Sequence, residues 1–185
     1  MKKIISICIV LCITFFGISC KKEEADKLTE FDINYSSTLT MPSTSITVSS
    51  SSITPTTVEF TTPNIATEQS TKFSAEKTAQ NLIDQIKVTK FDISVTGTGA
   101  NLDFLKSLTI YVKASGAGEQ IIATKTNIPS GLTSLSLDLQ DVNIKNFIFQ
   151  ENIQFKVLAV FDATASTDQV LKLDETVHVK ATLLK

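Results

Sequence analysis

From Glu30 onward the chain alternates between apolar and polar side chains. Phe31, Ile33 and Tyr35 fall on one face, with Asp32, Asn34 and Ser36 on the other, the period-two pattern of a strand with one buried side. The alternation returns at Phe91, Ile93 and Val95, then at Leu108, Ile110, Val112 and Ala114, and again at Leu135, Leu137 and Leu139. Ile153, Phe155, Val157, Ala159 and Phe161 repeat it, and because Leu158 and Val160 make the opposite face partly apolar as well, this strand is expected to be central. The chain closes with Leu171, Leu173, Val177, Val179, Ala181 and Leu183 on one face, against Lys172, Asp174, Thr176, His178, Lys180 and Thr182 on the other.

Turn chemistry separates these runs. Ser115-Gly116-Ala117-Gly118 predicts a hairpin into a partner strand that contains Ile121 and Ile122, and Asn127-Ile128-Pro129-Ser130-Gly131 predicts a second turn. More than half of residues 36–71 are Ser or Thr, yet Ile46 with Val48 and Val58 with Phe60 keep period two. Threonine is itself a strand former, and Pro42, Pro55 and Pro63 suit strand ends, so edge strands and long loops are expected there.

One stretch departs from period two. Ala75, Ala79, Leu82, Ile83 and Ile86 recur at helical spacing, Ser74 stands where a cap is needed and Glu76 falls in the first turn. A helix is therefore expected over Ser74 to Lys87. Asp141 to Ile148 is expected to form a helical turn with Val142 and Phe147 inward. Many one-faced strands, two short helices and no alternation of strand with long helix predict an all-β domain. The expected architecture is an antiparallel β-sandwich, immunoglobulin-like or jelly-roll, with a helix-capped barrel as the alternative. Strand order does not follow from the pattern.

Ahead of this domain the pattern is different. Lys2 and Lys3 precede an almost unbroken apolar run from Ile4 to Ile18, followed by Ser19 and Cys20. That is the charged, apolar and small-residue succession of a secretory signal. A 15-residue helix covers only about 23 Å, short of the ~30 Å hydrocarbon core of a membrane, so export is expected rather than spanning. Cys8 and Cys12 lie in the segment to be removed, leaving Cys20 without a disulfide partner. Lys21 to Leu28 is charged and without apolar periodicity, and it reads as a tether.

Gly17-Ile18-Ser19-Cys20 resembles the lipobox of bacterial lipoproteins, with Gly17 where leucine is usual, a departure familiar in Bacteroidota-type lipoproteins. The resemblance implies a signal peptide over residues 1–19, a lipid on Cys20, a tether over 20–28 and a β-sandwich domain over 29–185. Lys22-Glu23-Glu24 resembles the export signal that sends such lipoproteins to the outer face of the outer membrane. It implies a lipid-anchored cell-surface protein, the other reading being a generic charged tether on a lipoprotein that faces the periplasm. The segment from Asn101 to Pro129 is similar to a pattern in uncharacterised Bacteroidota-type lipoproteins and brings no activity with it.

Charge narrows the partners. All 17 basic residues are lysine, and losing Lys2 and Lys3 leaves 15 against 19 Asp and Glu, a net charge of 15 − 19 = −4. With no arginine for bidentate contacts and no basic patch, no nucleic-acid partner is expected. The expected partners are the membrane, through Cys20, and an envelope protein or a glycan.

Candidate chemistry is sparse. His178 is the single histidine and falls on a polar strand face, so it is read as a solvated surface residue, and neither a zinc site nor a Cys–His pair can be assembled. No Gly-x-Ser-x-Gly elbow is present, and Gly97-Thr98-Gly99 and Gly116-Ala117-Gly118 are sufficiently explained as turns. Nothing singles out a carboxylate pair such as Asp138 with Asp141. No cofactor and no catalysis are expected. The weak calcium candidates are Asp162, Asp168, Asp174 and Glu175, placed in or beside one strand connection. Sugar platforms rely on exposed aromatic rings; tryptophan is absent and Tyr35 shares the core face. Tyr111, opposite Ile110 and Val112, is then the one candidate ligand-binding ring.

Overall fold

The computed structural model describes residues 30–46, 57–97, 100–161, 163–165 and 167–181. Cys20, Lys22, Glu23, Glu24 and Asp162 lie outside the described residues, as does Leu183. Among the described residues, ten strands and two short helices follow in the order β1 (Glu30–Met41), β2 (Thr57–Thr61), β3 (Ile65–Ala66), α1 (Gln69–Ala75), β4 (Ile83–Thr96), β5 (Leu105–Ala114), β6 (Gly118–Thr126), β7 (Ser134–Ser136), β8 (Asp138–Leu139), α2 (Lys145–Ile148), β9 (Asn152–Phe161) and β10 (Gln169–Ala181).

Two antiparallel sheets face one another. One has the order β1-β10-β4-β7 and the other β2-β9-β5-β6-β8, with β3 also paired to β9. With the two-residue strands β3 and β8 set aside, eight strands remain. They pair first with last, second with seventh, third with sixth and fourth with fifth. That nesting is a single long ribbon wrapped into two sheets, the topology of a jelly roll. Of the two sandwiches expected from the sequence, the strand order selects this one.

The alternating faces meet between the sheets. Ile33, Leu39 and Met41 from β1, Leu171, Leu173, Val177 and Val179 from β10, and Phe91 and Ile93 from β4 are all buried. Opposite them stand Phe155, Val157, Ala159 and Phe161 of β9 with Leu108, Ile110 and Val112 of β5. Phe91 and Phe155 meet edge to face across the gap, their ring centroids 5.1 Å apart, a geometry that the ring quadrupoles favour. As expected, β9 is flanked on both sides, by β2 and β5. The run Leu135, Leu137, Leu139 crosses between layers. Its first half pairs with β4 and its second with β6, while Leu137 between them is buried, so this side of the sandwich is closed by one continuous segment.

The helix expected over Ser74 to Lys87 is not formed. Ser74 lies in the last turn of α1, where its hydroxyl donates back to the Ser70 carbonyl at 2.7 Å instead of capping a new helix. Beyond a one-turn 3-10 segment at Gln80–Leu82, residues 83–96 form β4. Ile83 and Ile86 keep helical spacing because β4 is bulged between them. The register against β10 skips Asp84 and Thr89, so the buried positions run Ile83, Ile86, Val88, Phe91, Ile93. Each bulge adds one residue and stretches an inward spacing of two to three.

The strand directions sort the connections into two ends. β1, β4, β6 and β9 finish at one end, where β2, β5, β7 and β10 begin. The segments 62–82, 115–117 and 140–151 gather at the other, where β1 begins and β10 finishes. At about 3.3 Å per residue the 12 residues of β1 separate the ends by roughly 35–40 Å.

Candidate functional site

The sequence candidates are dispersed by the fold. Asp168 sits in the β9–β10 connection, its Oδ1 accepting the Ser43 N–H at 2.8 Å. Asp174 lies six residues farther on, on the outer face of β10, with its Oδ2 2.8 Å from Lys172 Nζ. Against the raising effect of partial burial, hydrogen bonds from Lys172 and Ser36 hold the Asp174 carboxyl below its usual range. Glu175 points the opposite way, into the core, and is 1 % exposed. Asp174 and Glu175 thus stand in the strand beside that connection, and β10 turns them to opposite faces, so they do not converge with Asp168. No cluster of metal-binding side chains is present among the described residues.

Tyr111 lies on the outer face of β5, as its parity requires, but a cation occupies the space over its ring. Lys156 of β9 holds its Nζ 4.2 Å from the Tyr111 centroid, and the same ammonium is paired with Glu119 of β6. Register brings the three together, since Tyr111 stands opposite Lys156 and Glu119 opposite the neighbouring Lys113. The aliphatic stem of Lys156 is covered while its charged end is satisfied. His178 is on the polar face as expected, with Nδ1 2.8 Å from Asp32 Oδ1 and Nε2 3.6 Å from Glu30 Oε2. Asp138 and Asp141 are each engaged by a lysine, Lys125 at 3.0 Å and Lys87 at 2.5 Å.

The loop end farthest from Glu30 carries a cleft of about 410 Å³ between the β4–β5 and β9–β10 connections. Asn101, Asp103, Thr167, Asp168 and Gln169 supply polar groups to its wall, and Phe104 an apolar one. The wall is braced from behind. Asn101 Oδ1 accepts the Asp103 N–H at 3.1 Å, Asp103 Oδ1 accepts the Gly131 N–H, and the Leu102 N–H donates to the Leu132 carbonyl at 2.7 Å. Gly131 has φ +79°, a left-handed conformation in which glycine is unstrained, so this turn can bring its N–H to the carboxylate. Carboxylates, amides and hydroxyls around a small apolar patch make a surface suited to a neutral, hydroxyl-rich or amide-rich ligand. Apart from Asp168 the sequence reading did not find this cleft, since its walls come from two segments, 96–104 and 163–169, that are far apart in the chain.

A second feature escaped the sequence reading. Neither Glu175 carboxyl oxygen has a hydrogen-bond partner among the described residues, and burial pushes the carboxyl up to about 8. Its neighbour across the strands is Tyr35, whose hydroxyl donates to the Thr67 carbonyl at 3.2 Å. The Tyr35 hydroxyl is pushed well above its ordinary range, by burial first and then by Glu175 and Glu68. The signal was present as a parity: residue 175 falls on the same face as Leu173 and Val177.

No family model matches the chain, and no curated protein matches it. Among solved structures, the decameric BFDV capsid protein is similar at 10% identity and a TM-score of 0.38, over 82% of this chain and 99% of that one. The Desmodium yellow mottle tymovirus structure is similar at 11% identity and a TM-score of 0.29, over 84% of each chain.

Proposed function

We propose that this protein is a lipid-anchored, non-catalytic binding or envelope-assembly module outside the cytoplasm, held to the outer membrane through Cys20 and facing the cell surface. The observation that carries this reading is the N-terminal succession itself: two lysines, an apolar run too short to span, small residues, and then a cysteine with no partner left in the mature chain. The fold agrees with it in one respect. β1 begins at Glu30, ten residues after Cys20, so the cleft-bearing loops stand a full strand length away from the point where the tether enters.

The test is metabolic labelling with a fatty acid, combined with protease shaving of intact cells. Label on the wild type, none on Cys20→Ala, and cleavage of the wild-type domain at the cell surface are the expected results. An unlabelled wild type rejects the anchor. A labelled domain that resists shaving rejects surface exposure in favour of the periplasmic face. Replacing Lys22, Glu23 and Glu24 together by alanine leaves the label and abolishes shaving if those residues are read as an address.

A second reading, capture of glycans, is favoured by the polar cleft at the far end rather than by Tyr111, whose ring carries the Lys156 ammonium. Binding on a glycan array that is lost with Asn101→Ala and kept with Tyr111→Ala supports it; loss with Tyr111→Ala alone returns the site to the outer face of β5.

A further inference from the structure

Glu175 occupies a position where a carboxyl group has no structural reason to be. It stands in the middle of β10, with β1 on one side and β4 on the other, level with Tyr35 and Phe91 in the register. Its side chain is buried and both its oxygens are unpartnered. Leaving such a group in an apolar interior is costly, and far more so when it is ionised.

Among the described residues the surroundings offer no compensating charge. From β1 the ionisable group facing it is Tyr35, itself a weak acid that cannot neutralise a carboxylate. From β4 the neighbour is Phe91, and beyond it Phe155 of β9, neither of them titratable. α1 supplies Lys72, but its Nζ sits over the Tyr35 ring at 4.1 Å and 3.9 Å from Glu68, so that cation is already engaged. The charged residues flanking Glu175, Asp174 and Lys172, lie on the outer face with their own partners.

We propose that Glu175 makes the β1–β10 seam pH-sensitive, tightening the domain in mild acid and loosening it progressively through neutrality. The direction follows from linkage. In the unfolded chain the carboxyl ionises near its ordinary value of 4.5, whereas in the folded domain burial raises it to about 8. Between those values the folded state holds one proton more than the unfolded state. Stability then falls as pH rises through this window, and the dependence on this group ends once the folded-state group has also ionised. One proton corresponds to about a ten-fold fall in the folding equilibrium constant per pH unit. Acidic groups held by cations have the opposite sign, so the slope is diagnostic. β1 is an edge strand hydrogen-bonded only to β10 among the described strands, which makes it the element whose docking responds first.

The experiment uses the full chain, purified in mild detergent, with urea midpoints measured between pH 5 and pH 9 for the wild type, Glu175→Gln and Glu175→Leu. The quantity read is the difference between wild type and variant, which cancels the remaining carboxylates. Relative to both variants the wild type is expected to lose about ten-fold in folding equilibrium constant per unit from pH 5 to near 8, and then to level off. An infrared band of a protonated carboxylic acid, present in the folded wild type at pH 7 and missing from Glu175→Gln, is the second expected result and does not depend on unfolding. Parallel pH profiles for wild type and Glu175→Gln, or no such band, overturn the proposal. If Glu175→Gln fails to fold, Glu175→Leu and the infrared band carry the same decision.

Discussion

β9 and β10 are successive strands, each flanked on both sides, each sending a row of side chains into the same core, yet they are built to different standards. The inward row of β9 is Ile153, Phe155, Val157, Ala159 and Phe161, at most 1 % exposed throughout. The inward row of β10 is equally buried but is interrupted at its centre by Glu175. β9 lies in the layer where both faces are partly covered, Lys156 being mostly buried on the outside and Leu158 and Val160 half-buried. β10 has a wet outer face of Lys172, Asp174, Thr176, His178 and Lys180. The difference teaches that burial of one polar group is tolerated where its longer side chain can remain uncharged and the strand's other face stays solvated. A short charged group in β9 would have no such outlet.

The largest expected effect tests that contrast directly. Val157 lies between Phe60 of β2 and Ile110 of β5, and Val157→Asp is expected to cost about 4 kcal/mol or more, because it buries a carboxyl among apolar neighbours with no room to reach water. Urea unfolding followed by circular dichroism measures it; a loss below about 1 kcal/mol would mean that the β9 row is not the dry centre of the core. In β10 the reverse is expected. Glu175→Leu removes an unpaired polar group of similar size, and at pH 5 it should stabilise by about 1–3 kcal/mol, a gain that widens toward pH 8 as the wild type weakens; a destabilised variant would equate the two strands.

A smaller effect is expected where β9 leaves β2. Thr62 is 2 % exposed, and its Oγ1 accepts the Phe155 N–H at 2.9 Å. Thr62→Val keeps the shape but orphans that donor, at a cost of about 1–2 kcal/mol; amide exchange at Phe155 should quicken in the same variant. The smallest effect belongs to the outer face of β10. His178→Ala severs contacts to Asp32 and Glu30 that are more than a third exposed, and is expected to shift stability by less than about 0.5 kcal/mol. A loss as large as that of Val157→Asp would overturn the assignment of faces.

The strands were legible because period two is a local signal. Phe31 to Tyr35, Leu108 to Ala114 and Ile153 to Phe161 needed only their own residues to be assigned and oriented, and the turn at Ser115 to Gly118 joined the second of them to its partner β6. Strand order was not legible, because the pairing of β1 with β10 or β2 with β9 joins segments about 100 residues or more apart, and no local pattern encodes such partners. The failure at Ser74 to Lys87 has a particular cause: apolar residues from three different pieces of backbone, the end of α1 at Ala75, the 3-10 turn at Leu82 and a strand bulged at Asp84 between Ile83 and Ile86, fall by chance at helical spacing. Of the candidate site residues, the outward placement of Tyr111 and His178 followed from parity. The Lys156 that covers Tyr111, and the loops that wall the distal cleft, come from other parts of the chain and could not be anticipated.

The uninterrupted register of β1 with β10 also has a mechanical meaning. All 12 residues from Glu30 to Met41 have partners in β10 without a shift. Tension entering at Glu30 and resisted at the distal loops would run along the strand axis rather than across it. The hydrogen bonds of the seam are then loaded side by side and must fail together, not one after another as in a zipper pulled open from its end. A strand seated in this way resists being drawn out from its N-terminal end, and it does so with backbone geometry alone.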